Sequence, residues 1–213
     1  MYRLHCFSQS GNSYKVAFLL RALGQPFEPV FVDFMHGATR DPNWRAHTNE
    51  MGEAPVLETG TRSITQSGAI LTYLADTHGA YGGRTPEERL EILRWLLFDN
   101  HKFTSYFATY RFSKAFAPVA PDPAVMKWLK GRIDNAWGIV DKHLAATPYI
   151  VGEAPTIADF SFSGYVFYPP EESGYDIPAQ FPHLGNWMER MKAIAGWGPP
   201  YDILPGERIA PKW

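Results

Sequence analysis

The stretch Gly52-Glu53-Ala54-Pro55-Val56-Leu57 constrains the first half of this chain more than any other. Proline cannot donate a ladder hydrogen bond, so Pro55 belongs at the first position of a strand or on an edge. An apolar strand then starts at Val56. X–Pro is the one kind of peptide bond that takes the cis form cheaply. A cis Ala54–Pro55 bond turns Ala54 outward, with its N–H and C=O free for a ligand backbone. Further on, Gln66 and Ser67 stand at the start of an apolar-periodic run, Ile70, Leu71, Tyr73 and Leu74. That position puts a hydroxyl and free backbone N–H groups at a helix N-terminus, where carboxylates bind. A bare backbone edge beside an anion site suits an extended, peptide-like anionic ligand.

The rest of the first half supplies a sheet for that strand to join. Tyr2 to Phe7 alternates and reads as a strand, followed by the polar loop Ser8-Gln9-Ser10-Gly11-Asn12. Ser13 is placed to cap a helix carrying Val16, Leu19, Leu20 and Leu23, with Gly24 as its stop. Phe27 to Phe34 is β-rich, so the strand–helix–strand unit predicts parallel pairing. A short helix is expected near Trp44, and Thr59-Gly60-Thr61 joins strands 56–58 and 63–65 into a hairpin. A helix from Gln66 to His78 closes this half.

After Gly79-Ala80-Tyr81-Gly82-Gly83-Arg84 the pattern becomes helical, with no convincing strand. Pro86 opens a helix with Glu87 and Glu88 in its first turn, which favours the dipole. It is expected to run to Phe116, and a second helix from Ala124 to Ala146. Thr156 and Asp159 have capping-box spacing before a helix to Tyr168. Leu184 to Ile194 is a last helix, before a Pro/Gly-rich aromatic tail.

Composition excludes several partners. A net charge of -2 carries no nucleic-acid footprint. No apolar run approaches the ~20 residues of a membrane span. The opening residues have too short and interrupted an apolar region for a signal peptide, so a cytoplasmic protein is expected. The single Cys6 excludes an internal disulfide and a Cys-x-x-Cys motif, and the scattered histidines show no metal-ligand spacing, so no metal is expected. Cys6 reads as a buried strand residue.

Four segments in order carry a family resemblance: Ser10-x-Asn12-x-x-Lys15-Val16, Asn49-x-x-Gly52-x-Ala54-Pro55-Val56-Leu57, Gln66-Ser67-x-Ala69-Ile70, and Gly152 to Phe160. Over its whole length the chain resembles the cytosolic glutathione S-transferases, in particular bacterial serine-type members. The Ser-x-Asn pair is similar to the pattern of the Nu class. Glu50 stands where the family usually has Pro, and Ala54 where Val is common; both positions supply mainly backbone, so binding is expected to survive.

The resemblance implies an α/β thioredoxin-like N-terminal domain over residues 1–78 that binds glutathione, a linker over 79–85, an all-α C-terminal domain over 86–213, and a homodimer. It places Ser10 and Asn12 at the glutathione thiol. Lowering a thiol pKa from ~8.5 by about two units takes about 2.7 kcal/mol. One hydrogen bond to a charged group contributes about 1.5–3 kcal/mol, and a helix N-terminus about 0.3–1 kcal/mol, so a hydroxyl at a helix start is sufficient. Gln66 and Ser67 would hold the γ-glutamyl end, Ala54 and Pro55 would pair with the cysteinyl backbone, and Glu53 is also expected among the glutathione-binding residues. Arg40, or else His36, Trp44 or Lys15, would meet the glycyl carboxylate. Phe103, Tyr106, Phe107 and Tyr110, at helical spacing, are candidates for an apolar co-substrate pocket, although such a stripe is more often core. Asp99 is a candidate to reach a partner subunit's ligand. Asp159 is expected to serve folding, at about 0.5–2 kcal/mol. The expected activity is attack of the glutathione thiolate on a hydrophobic electrophile. The alternatives are glutathione-dependent disulfide or peroxide reduction, and a non-catalytic binding protein on the same scaffold.

Overall fold

A computed structural model describes all residues from Met1 to Trp213. Strand β1 (Tyr2–Cys6) alternates as read, with Leu4 and Cys6 fully buried. Its other face carries Arg3 and His5, both bonded to Glu58, at 2.7 and 2.6 Å. Helix α1 (Gly11–Ala22) crosses over to β2 (Phe27–Phe31), which pairs with β1 in parallel, Leu4 opposite Pro29. The second strand is shorter than its β-rich sequence predicts: Val32 N still donates to Cys6 O at 3.0 Å, and the chain then turns. A short helix α2 (Pro42–His47) is capped by Asp41, and β3 (Val56–Glu58) and β4 (Ser63–Thr65) form the expected hairpin. With β3 antiparallel to β1, the sheet order is β2-β1-β3-β4. Helix α3 (Ser67–His78) ends at Gly79, whose φ of 63° is the left-handed cap that glycine adopts without cost.

The helical half opens with α4 (Pro86–Phe98), capped by Thr85 as its Pro-Glu-Glu start requires. The expected single helix to Phe116 is interrupted by a π-helical turn, Asp99–Phe103, before α5 (Thr104–Ala115). The cause is Asp99, which turns inward to a fully buried ion pair with Lys15 of α1 at 2.7 Å. Thr104 and Ser161 also donate to it. Helix α6 (Pro123–Leu144) follows, then α7 (Ile157–Phe162), which stops well before the expected Tyr168. There Gly164 passes so close to α1 that a Cβ on it would lie 2.5 Å from Lys15 Cε, and the chain turns away. Helices α8 (Ile177–Gln180), α9 (Pro182–Lys192) and α10 (Pro200–Ile203) complete the half.

One apolar core runs through both halves. Phe18 of α1 meets Phe160 of α7 edge-on at 4.9 Å, and Tyr81 packs on the same ring. The Thr156–Asp159 capping box is formed, and Asp159 does more than cap. Fully buried, it also accepts from Ile150 N and Trp187 Nε1, each at 2.9 Å. No helix is long and apolar enough to cross a membrane.

Candidate functional site

A cavity of about 520 Å³ lies between the two halves, within the size range of small-molecule sites. Its first wall is the loop between β1 and α1. Ser10 has extended backbone (φ -89°, ψ 104°), and its Oγ accepts the Ser13 N–H at 3.1 Å. Ser10 is therefore the helix cap, and Ser13, expected in that role, sits buried inside the first turn. With its oxygen accepting from the helix, the Ser10 hydroxyl hydrogen is left to donate. Gly11 follows because nothing larger fits: a Cβ there would lie 2.4 Å from Gly164 O and from the Tyr165 ring. Asn12, also in the wall, accepts a long hydrogen bond from Ser67 Oγ through its Oδ1, at 3.4 Å. Its NH₂ has no partner within the chain.

The second wall is the segment read as a backbone edge. The Ala54–Pro55 bond is cis, and neither the N–H nor the C=O of Ala54 makes a hydrogen bond within the chain. Asn49 donates to Glu53 O at 2.8 Å and holds the turn before it. Gln66 has φ 66°, a region that non-glycine residues avoid at a cost of about 1–3 kcal/mol. Its side chain does not cap α3 but donates to Glu53 Oε2 at 2.7 Å. The first-turn N–H groups of α3 at Ser67 and Gly68 are thus without a side-chain acceptor. Asn100, from the π turn, closes over this end, its Nδ2 3.1 Å from where a Cβ on Gly68 would lie. The structure brings Ser10, Asn12, Glu53, Ala54, Pro55, Gln66 and Ser67 into one cavity.

The third wall is α5, but not the face expected. Phe103 and Phe107 are buried in the core against Trp137, the first stacked on it at 5.3 Å and the second tilted at 4.6 Å. Tyr106 and Tyr110 turn to Trp128 and Tyr175. None of the four lines the cavity, because this stripe packs on α6 and its surroundings. The neighbouring stripe, Thr104, Ala108, Arg111 and Phe112, faces it instead, with Ser105, Thr109 and Phe116. Across from Phe112 and Phe116, Phe7 and Phe34 stack face to face at 4.7 Å. Asp99 faces inward to Lys15 with no exposed surface, so it has no route to a partner's ligand.

The cations expected for the glycyl end lie elsewhere. Arg40 is exposed and outside the cavity wall, Lys15 is consumed by Asp99, and exposed His36 pairs with Asp33. Trp44 packs edge-on against His5, also outside the wall. The one cation lining the cavity is Arg111, which sequence reasoning missed; it is ion-paired with buried Glu172. Also missed was Tyr165, whose phenol burial holds above its ordinary pKa despite the nearby Arg111 charge. Its ring is a neutral wall at pH 7. Cys6 lies away from the cavity, and burial pushes its thiol up to about 12.

Residues 2–76 match the family model of the glutathione S-transferase N-terminal domain, and residues 123–190 that of the C-terminal domain. The chain is similar to glutathione S-transferase F14 of Arabidopsis thaliana, 27% identical over 205 residues that cover 92% of this chain and 80% of that protein. Its fold superposes on a glutathione S-transferase from Pseudomonas fluorescens with a TM-score of 0.84 at 31% identity, covering 93% and 98% of the two chains. A second, from Xanthobacter autotrophicus, gives 0.85 at 30% identity over 95% and 98%. By fold, by both family models and by these relatives, the chain belongs to the glutathione S-transferase family.

Proposed function

We propose that the cavity binds glutathione and activates its thiol for attack on an apolar electrophile. The observation that carries the reading is the convergence on one cavity of three unsatisfied groups: the Ala54 N–H and C=O, the uncapped first turn of α3, and the amide NH₂ of Asn12. An extended tripeptide with a carboxylate at one end and a thiol in its middle satisfies them together. The cysteinyl backbone pairs with Ala54, held by Pro55. The γ-glutamyl carboxylate takes Ser67 Oγ–H and the α3 N–H groups, while Gln66 and Glu53, bonded to each other, receive the ammonium end. The thiol meets the Ser10 hydroxyl and Asn12.

The chemistry then needs little from the protein. The thiol loses its proton to solvent, the sulfur anion forms a bond to the electrophilic carbon, and the leaving group departs with its electron pair. Ser10 and Asn12 stabilise the anion by hydrogen bonds, and the aromatic walls hold the second substrate close. The cavity wall contains no cysteine, so no enzyme-bound intermediate is expected. The same absence makes disulfide reduction, if it occurs, a reaction carried by glutathione thiols alone. Ure2p, which shares the fold at 22% identity, has been solved in complex with glutathione. The division of labour follows the chain, with residues 1–78 binding glutathione and 86–213 shaping the second site.

Calorimetric titration with glutathione and with its disulfide, on the natural protein and on Ser67→Ala, tests the reading. Glutathione binding weakened about tenfold by the substitution, or about 1.4 kcal/mol, is the expected result. Preference for the disulfide would favour the reductase reading. Binding of neither would leave only a scaffold role.

A further inference from the structure

We propose that Arg111 is a positioning residue that fixes the Ser10 loop from the helical half, and so sets the acidity of the thiol bound there. This rests on the reading that Ser10 meets the glutathione thiol.

Arg111 is 2% exposed, and Glu172 is fully buried. The guanidinium donates to Glu172 through Nε at 2.7 Å and to Tyr201 Oη through Nη2 at 3.1 Å. Its Nη1 donates to the C=O of Gln9 at 2.8 Å. That carbonyl belongs to the peptide bond that enters Ser10. The preceding carbonyl, of Ser8, accepts from Tyr168 Oη at 2.7 Å. The Tyr168 ring lies under the Arg111 guanidinium, 3.7 Å from Cζ to centroid. Two consecutive peptides before Ser10 are therefore held by side chains from the other half. The Gln9 side chain is held too, donating to Glu207 O of the tail at 2.6 Å.

The orientation of the Ser10 hydroxyl follows from this clamp. Its oxygen is tied to Ser13 N, and the peptide behind it is tied to Arg111, so both ends of the residue are fixed. A donor pre-oriented toward an anion stabilises it without reorganisation. A buried ion pair that served only to join the halves has no need to reach a loop carbonyl. Here one arm of the guanidinium is spent on it.

The test uses Arg111 and Tyr168 variants and the ultraviolet thiolate absorbance of bound glutathione, titrated against pH. Arg111→Met with Glu172→Met removes both charges together, so no unpaired charge is left buried. Tyr168→Phe keeps every charge and frees only the Ser8 carbonyl. Where the double variant does not fold, Arg111→Lys decides the matter, since it keeps the charge beside Glu172 but has one nitrogen in place of the three that reach Glu172, Tyr201 and the Gln9 carbonyl. The thiol pKa is expected to rise by about one unit in the double variant and by about half a unit in Tyr168→Phe. kcat/KM should fall below the new pKa and recover above it. Ser10→Gly is the control. If it raises the thiol pKa while folded Arg111 and Tyr168 variants leave it unchanged, the inference is overturned and the pair is structural. If the wild-type bound thiol is not acidified at all, the reading of the cavity fails and the inference with it.

Discussion

Replacing Ser10 separates two tasks that one oxygen performs. Ser10 Oγ accepts from Ser13 N at 3.1 Å and, in the proposed reaction, donates a hydrogen bond to the thiolate while keeping its own proton. Ala at an N-cap loses about 0.5–2 kcal/mol, whereas Gly loses only a few tenths. The Ser10 backbone, at φ -89° and ψ 104°, accepts either residue without strain. The thiolate hydrogen bond is lost equally in both variants, at about 1.5–3 kcal/mol. At 1.36 kcal/mol per unit, that raises the bound thiol pKa by about one to two units. Ser10→Ala and Ser10→Gly should therefore differ by about 1 kcal/mol in urea unfolding, and not at all in thiol pKa. Below the thiol pKa, both should lose roughly ten- to hundredfold in kcat/KM against an activated aromatic halide, and recover at alkaline pH. Ser10→Gly with a thiol pKa within about 0.3 units of the natural protein would refute the assignment. Asn12, whose NH₂ is the one other unpartnered donor argued for the thiol, would then have to carry the stabilisation.

Other positions give sharper signs. Gln66→Gly should relieve the φ 66° backbone and hold or raise stability by up to about 1 kcal/mol in thermal unfolding, while glutathione binding weakens. Asp159→Ala should cost about 3 kcal/mol or more, above the cap value expected from sequence, because Ile150 N and Trp187 Nε1 lose their acceptor as well as Thr156; chemical denaturation measures it. Cys6 should stay unreactive to an aromatic disulfide reagent in the folded protein and react on unfolding. Its native pKa of about 12 lies above the unfolded value near ~8.5. The native state thus keeps a proton that the unfolded state releases, so stability falls as pH rises past the unfolded value, and Cys6→Ala should flatten that fall.

The parts of the fold legible in the sequence are those set by local chemistry. Pro55 announced a strand start because its missing N–H leaves few places to stand. Thr156 and Asp159 announced a helix start because their spacing is the bond pattern itself. Where a distant contact decided the outcome, local reading failed. The break at Asp99 is made by Lys15, 84 positions away, and the early end of α7 by the approach of the same helix at Gly164. The capping of α1 by Ser10 instead of Ser13 was a local choice between two adequate serines. The extended backbone at Ser10 decides it, and composition does not encode that backbone.

The α5 helix shows why the first two walls of the cavity were readable and the third was not. Periodicity finds the stripe Phe103, Tyr106, Phe107 and Tyr110, but a helix with core on one side and a cavity on the other carries two stripes, and the apolar one belongs to the core. The cavity stripe, Thr104, Ala108, Arg111 and Phe112, has the mixed character of a solvated face, so nothing in residue type separates it from surface. Arg111 is the extreme case. A lone arginine on a helix reads as solvated, and its meaning lies in a carbonyl 102 positions earlier. Binding residues that act through backbone and helix ends leave a signature in spacing. Residues that act by holding another element still leave theirs only in space, which is why the Ser10 motif was visible and the side chains that aim it were not.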